Sequence, residues 1–319
     1  MNEILKIQHL KKYFVKKSLF SSKINIVRAV DDVSLDIKKG EVLVIAGESG
    51  SGKTTIAKLI LNSIQPDSGK IFFDGKEITK KTIEEIKINC QMIHQDPYDS
   101  INPRMRIEDI IVEPLEIHKL GNKDTRKKRV IEVLQEVRLE PAEEIMKKHP
   151  HMLSGGQRQR IAIARALTLK PKIILADESV SMLDVSIRAE ILELLQEMQQ
   201  KYNISFIYIT HDLATARHFG QRIAIMYRGK IVEIGPIDRV LSTPQHPYTQ
   251  ALIDAVFEIN PENKDKEKKI RIKENIKTDA SQGCNFAARC PYVMDKCMKE
   301  PKLEKIKEEH FSACYVELN

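Results

Sequence analysis

Residues 41–60 read EVLVIAGESGSGKTTIAKLI, and this stretch decides the fold. A short apolar run is followed by a glycine-rich turn and by a helical pattern with Ile56, Leu59 and Ile60 on one face. The order predicts a buried strand, a loop and an amphipathic helix. Residues 47–54 also fit G-x-x-x-x-G-K-[ST], in which backbone N–H groups and a helix N-terminus surround phosphate oxygens. We therefore expect a phosphate-binding loop in an α/β protein.

The loop also predicts individual roles. We expect Lys53 to reach the β- and γ-phosphates of a nucleotide and the Thr54 hydroxyl to ligate magnesium. The other predicted nucleotide-binding residues of the loop are Gly47, Glu48, Ser49, Gly50, Ser51, Gly52 and Thr55. The alternative is a chance glycine turn, and the strand before and helix after the loop argue against it.

Strand and helix patterns alternate through most of the chain. The runs KIILADE and ISFIYITHD predict fully buried parallel strands, each followed by a helix, and hence a mostly parallel sheet with helices on both faces. Period-two alternation in residues 4–10 and 26–37 predicts an antiparallel β layer, and SGKIFFDGKEI predicts a hairpin. Residues 105–168 turn helical, with Ser154 as a predicted N-cap.

These patterns predict two domains. Residues 1–243 form a nucleotide-binding domain with a helical subdomain at about 96–168, and residues 244–319 form a small C-terminal extension that contains cysteines. Within the extension, residues 261–277 are mainly charged and predict an exposed linker, or a solvated strand.

Composition limits the class of protein. The 319 residues include 52 basic and 45 acidic side chains, a net charge of +7 that would tolerate nucleic acid or anionic lipid, although solvated surface lysines are the simpler interpretation. No apolar run of 18 residues and no signal-peptide pattern occurs, so we expect a cytosolic protein without a membrane span of its own. Five cysteines in a reducing compartment favour metal binding or burial over disulfides.

Acidic residues follow the first of the predicted buried strands. Asp177 closes that strand and is expected to hold a metal through water, and Glu178 is the candidate general base for an attacking water. His211 ends the next strand and could polarise the γ-phosphate or position the water. The alternatives are a solvated turn for the acids and a structural role for the histidine.

The sequence LSGGQRQR, residues 153–160, resembles the signature motif of ATP-binding cassette (ABC) ATPases. The resemblance implies an ABC-type P-loop NTPase fold and assigns further residues by their place in the family's motifs. They are Gln95 of the Q-loop, with a role in catalysis and in the magnesium site, Asp184 of the D-loop, His211 as switch histidine, and Phe14, or alternatively Tyr13, stacked on adenine.

The family also implies how the domain works. Two such domains pack head to tail, and the signature residues of one cap the γ-phosphate bound at Lys53 of its partner. A helix N-terminus at Ser154 suits this role, because it offers a hydroxyl, amides and a favourable dipole end to phosphate. The predicted residues acting in trans are Ser154, Gly155, Gly156 and Gln157. ATP would thus join the dimer, and hydrolysis would release it.

Three longer segments, HQDPYDSINPRM, DVSIRAEILELL and PQHPYTQAL, resemble the ATPase subunits of oligopeptide and dipeptide importers, and GQRQRIAIARAL resembles the second of their two ATPases. The resemblance implies a heterodimer with a sister ATPase, two transmembrane permease subunits, an extracellular solute-binding protein and a peripheral place on the cytoplasmic face of the membrane. No direct nucleic-acid contact is expected. A groove near Gln95 with Tyr98, Asn102 and Arg104 would receive a permease helix. Related importers carry nickel or oligosaccharides, so the cargo rests on kinship.

Three residues depart from the family pattern. Ser179, Met182 and His94 stand where proline, alanine and phenylalanine are usual, but none is an expected phosphate or metal contact.

The main alternative function is that of a soluble ABC ATPase acting on nucleic acid or ribosomes. Such proteins typically carry a coiled coil or two cassettes. The 101 positions from Lys53 to Ser154 match a transporter cassette. A non-catalytic nucleotide switch is disfavoured, since the candidate base and switch histidine are present.

Four cysteines, Cys284, Cys290, Cys297 and Cys314, are separated by five, six and 16 residues. No C-x2-4-C pair and no ferredoxin spacing occurs, so spacing alone leaves an iron–sulfur cluster, zinc, and free or disulfide-linked thiols open. The C-terminal extension of some peptide-importer ATPases resembles this segment and holds a [4Fe-4S] cluster. The resemblance implies these four ligands in a structural or oxidation-sensing role, with zinc as the alternative. Cys90 alternates like a core residue.

Overall fold

The computed structural model describes residues 3–17, 24–96, 101–257 and 283–316. Strands and helices alternate along most of the chain. The strands are β1 (Glu3–Lys17), β2 (Ile24–Lys38), β3 (Val42–Ala46), β4 (Ser68–Phe73), β5 (Lys76–Glu77), β6 (Cys90–Ile93), β7 (Ile173–Asp177), β8 (Ser205–Thr210), β9 (Arg222–Tyr227), β10 (Lys230–Pro236), β11 (Glu304–Lys307) and β12 (His310–Ser312).

The α-helices are mostly amphipathic. They are α1 (Lys53–Ile60), α2 (Ile83–Asn89), α3 (Ile107–Ile117), α4 (Lys123–Glu136), α5 (Ala142–Ile145), α6 (Gly155–Leu167), α7 (Val185–Tyr202), α8 (Leu213–Phe219), α9 (Ile237–Ser242) and α10 (Pro247–Phe257).

The chain divides into two compact units. The first comprises Met1–Leu5, Ile37–Glu41 and Phe72–Ile209. The second comprises Lys6–Asp36, Val42–Ile71 and Thr210–Asn319.

In the first unit, β7 pairs in parallel with β6 on one side and with β8 on the other. All five residues of β7 are buried, as the apolar run predicted, because a parallel strand is covered on both faces. The predicted hairpin is confirmed, since the end of β4 pairs with β5 and left-handed residues at Asp74 and Gly75 form the turn. Cys90 is 2% exposed, as predicted for a core residue.

The helices α3 to α6 fill the predicted helical region of the first unit. Helix α3 packs on α4 and α6, and α6 packs on β6 and α7. Ser154 caps α6 as predicted, and Gln157 completes the capping box by returning its side chain to the Ser154 N–H. This cap fixes where the signature segment becomes helical.

In the second unit, β3 pairs in parallel with β9, β10 pairs antiparallel with β9, and β12 extends the sheet by pairing with β10. Strand β11 pairs with β12 at the outer edge of this sheet. A separate sheet, the antiparallel layer, has β1 between β2 and β4. The C-terminal extension therefore continues a sheet that begins with the strand before the phosphate loop. The predicted α/β class with an antiparallel layer is confirmed.

Two further predictions concern segments that are not described. The linker at 261–277 and Tyr98 of the expected permease groove lie outside the described residues. In the described ranges, no helix has both the length and the apolarity that crossing a bilayer requires. The division into a domain at 1–243 and an extension at 244–319 stays a prediction.

Candidate active site

The phosphate loop is built around a buried lysine. Lys53 is 5% exposed, and its ammonium donates to the carbonyl oxygens of Gly47 at 2.7 Å and Glu48 at 2.9 Å. A buried charge is costly unless it is hydrogen-bonded, so these two carbonyls satisfy the ammonium and curve the loop around it. The lysine also begins helix α1, whose N-terminus favours anions.

Neighbouring backbone comes so close to the loop that two of its positions must be glycine. Gly47 and Gly52 have φ of 152° and 108°, and a Cβ would collide with the carbonyl oxygen of Met226 at the first and of Ala29 at the second. The Gly229 N–H in the β9–β10 turn donates to the Ser51 carbonyl at 2.8 Å. Backbone of the second unit therefore surrounds the loop closely and fixes its path.

One polar group of the loop is left without a partner. The Ser51 hydroxyl is buried, and no hydrogen-bond partner is found for it in the described part of the chain. Buried hydroxyls are normally hydrogen-bonded, so this one fits a loop that takes up an acceptor such as a phosphate oxygen. Ser49, Gly50 and Thr54 are exposed, and Gly52 and Thr55 are half-exposed, so the loop presents an accessible side.

The predicted carboxylates lie in the first unit, at the end of β7. Asp177 is 8% exposed, and Glu178 follows with φ of 47°, a strained left-handed conformation for a residue with a side chain. The Glu178 N–H donates to the Ile209 carbonyl at 2.8 Å, which holds this conformation. The Gln95 amide donates to the Glu178 carboxylate at 3.0 Å, so the structure brings the predicted Q-loop residue and base together.

His211 lies in the second unit, exposed, between β8 and α8. Its neighbour Asp212 caps α8 by accepting from the backbone of Ala214 and Thr215 at 2.9 and 3.3 Å. The backbone N–H of Asp212 donates to the Thr210 hydroxyl at 3.0 Å. Local hydrogen bonds thus fix the turn that carries the predicted switch histidine at the C-terminal end of β8.

The signature segment of the first unit forms an accessible helix start. The Ser154 hydroxyl accepts from the Gln157 N–H at 3.3 Å, Ser154 is exposed, and Gly155 and Gly156 are half-exposed. Asp184 is also exposed, where the D-loop enters α7. Met182 and Val185 beside it are 63% and 80% exposed, which leaves an apolar surface next to the D-loop.

The two candidate adenine-stacking residues differ in their surroundings. The Tyr13 hydroxyl donates to Asp31 at 2.5 Å, and burial, reinforced by this hydrogen bond, raises the pKa of Tyr13 to about 12. Phe14 is 42% exposed, with the Lys12 ammonium 5.7 Å from its ring centroid. Of the two rings, Phe14 therefore offers the accessible face.

The four C-terminal cysteines of the second unit line one cavity together with Phe286. In the described part of the chain, none of them forms a disulfide. Burial, with contributions from the neighbouring thiols, raises the pKa of Cys284, and it raises the pKa of Cys314 to about 11. We call this cluster of Cys284, Cys290, Cys297, Cys314 and Phe286 the thiol module.

The donor chemistry of the thiol module suits a thiophilic metal, but its geometry does not match a bound ion. In the described residues, no group of three or more His, Cys, Asp or Glu side chains is placed to hold a metal. The cavity measures about 10 Å³, roughly the room for one water molecule. A [4Fe-4S] cluster is larger than one water molecule, so its binding would require the thiols to move apart.

Sequence reasoning missed two contacts on the phosphate loop from C-terminal residues. The Arg289 guanidinium forms an ion pair with the Glu48 carboxylate, and this bond raises the pKa of Arg289 above its ordinary value. The Glu48 N–H donates to the Tyr248 hydroxyl at 2.8 Å. Neither residue belongs to a local motif of the loop, so no pattern signals them.

Comparisons with known families agree with these features. The family model described as "ABC transporter" matches residues 30–181, and the one described as "Oligopeptide/dipeptide transporter, C-terminal region" matches residues 232–297. The second match includes three of the four clustered cysteines and ends before Cys314.

Related proteins match along the whole chain. The oligopeptide transport ATP-binding protein AppF of Bacillus subtilis is 40% identical over 98% of this chain and 97% of its own length. The di/tripeptide transport ATP-binding protein DppF of Pseudomonas aeruginosa is 37% identical over 99% of this chain and 98% of its own length.

Solved structures are also similar. A dimeric, post-hydrolysis state of the ATP-binding cassette MJ0796 bound to ADP and Pi has a TM-score of 0.64 and 30% identity, covering 73% of this chain and 98% of that one. The cbiO1 protein from Clostridium perfringens, part of the ABC transporter complex cbiONQ, has a TM-score of 0.66 and 26% identity, covering 82% and 97%.

Proposed function

This chain belongs to the ABC transporter family, and we propose that it is the ATP-hydrolysing subunit of a transporter that imports peptides. The cargo is inferred from relatives named as oligopeptide and di/tripeptide transport ATP-binding proteins and from the match to a peptide-transporter C-terminal region. Nickel and oligosaccharides stay the alternative cargoes, since related importers carry them.

Phosphate binding is assigned to the loop. Lys53 would neutralise the β- and γ-phosphates, and the unpartnered Ser51 hydroxyl would donate to a phosphate oxygen. Thr54, Gln95 and Asp177 are the proposed ligands of the magnesium site, directly or through water. Magnesium, when bound, spreads the charge of the triphosphate and orients it.

Glu178 is the proposed general base. The observation that carries the hydrolytic assignment is the 3.0 Å hydrogen bond from Gln95 to Glu178 beside the buried Asp177. An amide that donates to one carboxylate oxygen holds the carboxylate in place while its other lone pairs can accept a proton from water. His211 is proposed to orient the same water from the next strand.

The partners are proposed from the exposed features of the first unit. The accessible helix start at Ser154 and the apolar residues Met182 and Val185 suit a second ATPase that packs head to tail on this surface. We assign the partner as a sister ATPase, with two permease subunits and an extracellular solute-binding protein completing the importer. The chain would then lie on the cytoplasmic face of the membrane.

The replacement Glu178→Gln tests the mechanism. We expect ATP hydrolysis at saturation to fall by on the order of 100-fold or more, because the base is lost, while MgATP still binds and holds the dimer together. Calorimetry measures MgATP binding, and size-exclusion chromatography detects the dimer. Glu193→Gln, on the exposed part of α7, serves as the control and should hydrolyse normally. Hydrolysis at the native rate in Glu178→Gln would refute the assignment.

The competing function is a soluble ABC ATPase that acts on nucleic acid or ribosomes. Affinity purification of the full-length chain from its own cells separates the two. Recovery of permease subunits and a solute-binding protein supports the importer, and recovery with ribosomes or DNA but never with a membrane complex contradicts it.

The thiol module supports a second, finer proposal, a [4Fe-4S] cluster held by Cys284, Cys290, Cys297 and Cys314 in a mechanical role, with zinc as the alternative. Its support is the convergence on one cavity of four cysteines, none of which forms a disulfide in the described part of the chain. Anaerobically purified protein should be brown, and dithionite should bleach its visible absorption. Colourless protein with stoichiometric zinc overturns the cluster, and colourless metal-free protein overturns both.

A further inference from the structure

A bidentate ion pair joins the C-terminal extension to the phosphate loop. The two terminal nitrogens of Arg289 donate to the two carboxylate oxygens of Glu48, at 3.0 and 3.2 Å. The guanidinium also lies 5.9 Å from the ring centroid of Tyr227 and 5.8 Å from that of Phe286. A guanidinium that makes two parallel hydrogen bonds to a carboxylate and packs against aromatic rings is fixed in both position and orientation. A single contact between point charges does not fix the orientation.

Glu48 is the residue of the loop on which other contacts converge. Its carbonyl accepts from the Lys53 ammonium at 2.9 Å and from the Ser51 N–H at 3.2 Å, and its own N–H donates to Tyr248. Holding the Glu48 side chain therefore also holds the peptide groups that orient the phosphate-binding lysine.

Arg289 is itself held by the thiol module. Its N–H donates to the Phe286 carbonyl at 2.9 Å, in a turn that runs from Cys284 to Cys290. Phe286 is 1% exposed, and its ring packs on Tyr227 at 5.4 Å between centroids. The packing of the module therefore sets the direction of the guanidinium.

We propose that Arg289 is a positioning residue for the phosphate loop, through which the packing of the thiol module controls the affinity for MgATP. The inference deepens the proposed ATPase function and rests on it for its effect on nucleotide. Arg289 acts through Glu48 and is assigned no contact with phosphate. Its loss should therefore weaken binding and leave the chemical step intact.

The first test replaces Arg289 with methionine, which removes the charge and keeps an apolar stem against the rings. In the full-length chain we expect the Kd for MgATP to rise about 3- to 10-fold while kcat at saturation stays within about twofold. Arg217→Met breaks an exposed ion pair with Asp238 in the same unit and should change neither value. An unchanged Kd in Arg289→Met overturns the inference.

A charge exchange separates positioning from simple packing. Glu48→Arg combined with Arg289→Glu can reform the pair with reversed polarity, so its Kd should return toward the native value, whereas each single variant stays weak. A purely structural role for the arginine stem predicts no such rescue. Failure of rescue with all variants folded, as judged by thermal unfolding, therefore counts against the inference.

The link to the module is tested with Cys290→Ser. This variant should raise the Kd for MgATP in the native background and have little further effect in the Arg289→Met background, because the arginine transmits the change. Equal effects in both backgrounds would contradict transmission through Arg289.

Amide hydrogen exchange tests the positioning role of Arg289 independently of the proposed ATPase function. Without nucleotide, Arg289→Met should exchange the amides of residues 47–52 faster than the native chain and than Arg217→Met. If the native chain neither binds nor hydrolyses ATP, the proposed function fails, and faster exchange still supports the positioning role. Unchanged exchange overturns that role whatever the activity.

Discussion

The phosphate loop and the thiol module both belong to the second unit, and both are made of tight turns, yet they are encoded differently. The loop occupies the contiguous residues 47–54, between β3 and α1, and its lysine is satisfied by carbonyls five and six positions away. The module gathers four thiols from residues 284–314, and its N-terminal turn is closed by the Cys284 N–H donating to the Cys297 carbonyl. Local sequence specifies the first region, and tertiary packing assembles the second.

The polar groups of the two regions also differ in what they can do. The loop leaves the buried Ser51 hydroxyl without a partner in the described chain, which suits a site for an incoming anion. The module contains two thiols, Cys284 and Cys314, whose pKa is raised by burial, and a ring that packs on Tyr227 and Tyr248. The difference supports the proposals that the loop binds phosphate and that the module acts on the loop through packing.

Replacement of Lys53 by alanine should give the largest effect on nucleotide. Two charge-assisted hydrogen bonds to phosphate would be lost, each about 1.5–3 kcal/mol, so MgATP affinity should fall by roughly 10²- to 10⁴-fold. Calorimetric titration measures the change. Lys58→Ala, at an exposed position one turn further along α1, is the matched control and should bind normally. If Lys53→Ala still bound MgATP with native affinity, nucleotide binding would no longer distinguish the phosphate loop from the thiol module.

Replacement of Gly283 by alanine should instead affect stability. Gly283 has φ of 95°, and a Cβ would collide with the Cys297 carbonyl oxygen, so strain and overpacking together should lower the free energy of unfolding by about 3 kcal/mol. Urea unfolding measures the loss.

The matched substitution in the loop is Gly50→Ala. Gly50 has φ of 78°, and a Cβ there meets no atom within 4 Å, so only the backbone strain of about 1 kcal/mol is expected. Equal losses at the two glycines would show that the close contact of Gly283 with the Cys297 carbonyl adds nothing to the backbone strain.

Sequence patterns predicted the parts of the fold that local residues determine. The phosphate loop, the buried strands β7 and β8, and the cap at Ser154 all follow from contiguous motifs or periodicity. Family resemblance assigned Gln95 a catalytic role beside Glu178, but the hydrogen bond between them, across 83 positions, was not predicted. The roles of these residues in catalysis stay predictions.

Long-range pairing in the extension could not be predicted. Strand β11 reads EKIK and is exposed throughout, and β12 has three residues, so neither shows the pattern of a buried strand. The pair of Arg289 and Glu48 spans 241 positions, so no local pattern could signal it. The cysteine spacing likewise left the ligand open, because loops of any length can converge once the chain has folded.

His246 contributes to the cavity of the thiol module and precedes Tyr248, which contacts the phosphate loop. Its imidazole is 1% exposed and accepts from the Tyr248 N–H at 3.0 Å, and burial lowers its pKa from the ordinary 6.5 to about 3. Between these values the unfolded chain binds a proton that the folded chain does not. The free energy of unfolding should therefore fall as the pH drops below about 6.5, by about 1.4 kcal/mol per pH unit.

His246→Asn removes this titration and retains an oxygen that can accept from the Tyr248 N–H. Urea unfolding at several pH values should show a native loss of about 2 kcal/mol between pH 6.5 and 5 that is absent in the variant. The two proteins are compared by the slope of the free energy of unfolding against pH, because the smaller side chain of the variant also loses packing against Phe286. The ring centroids of His246 and Phe286 are 5.9 Å apart. Parallel slopes in the two proteins would mean that this histidine takes up a proton as readily in the folded chain as in the unfolded chain, and that its surroundings are more open to water than its burial implies.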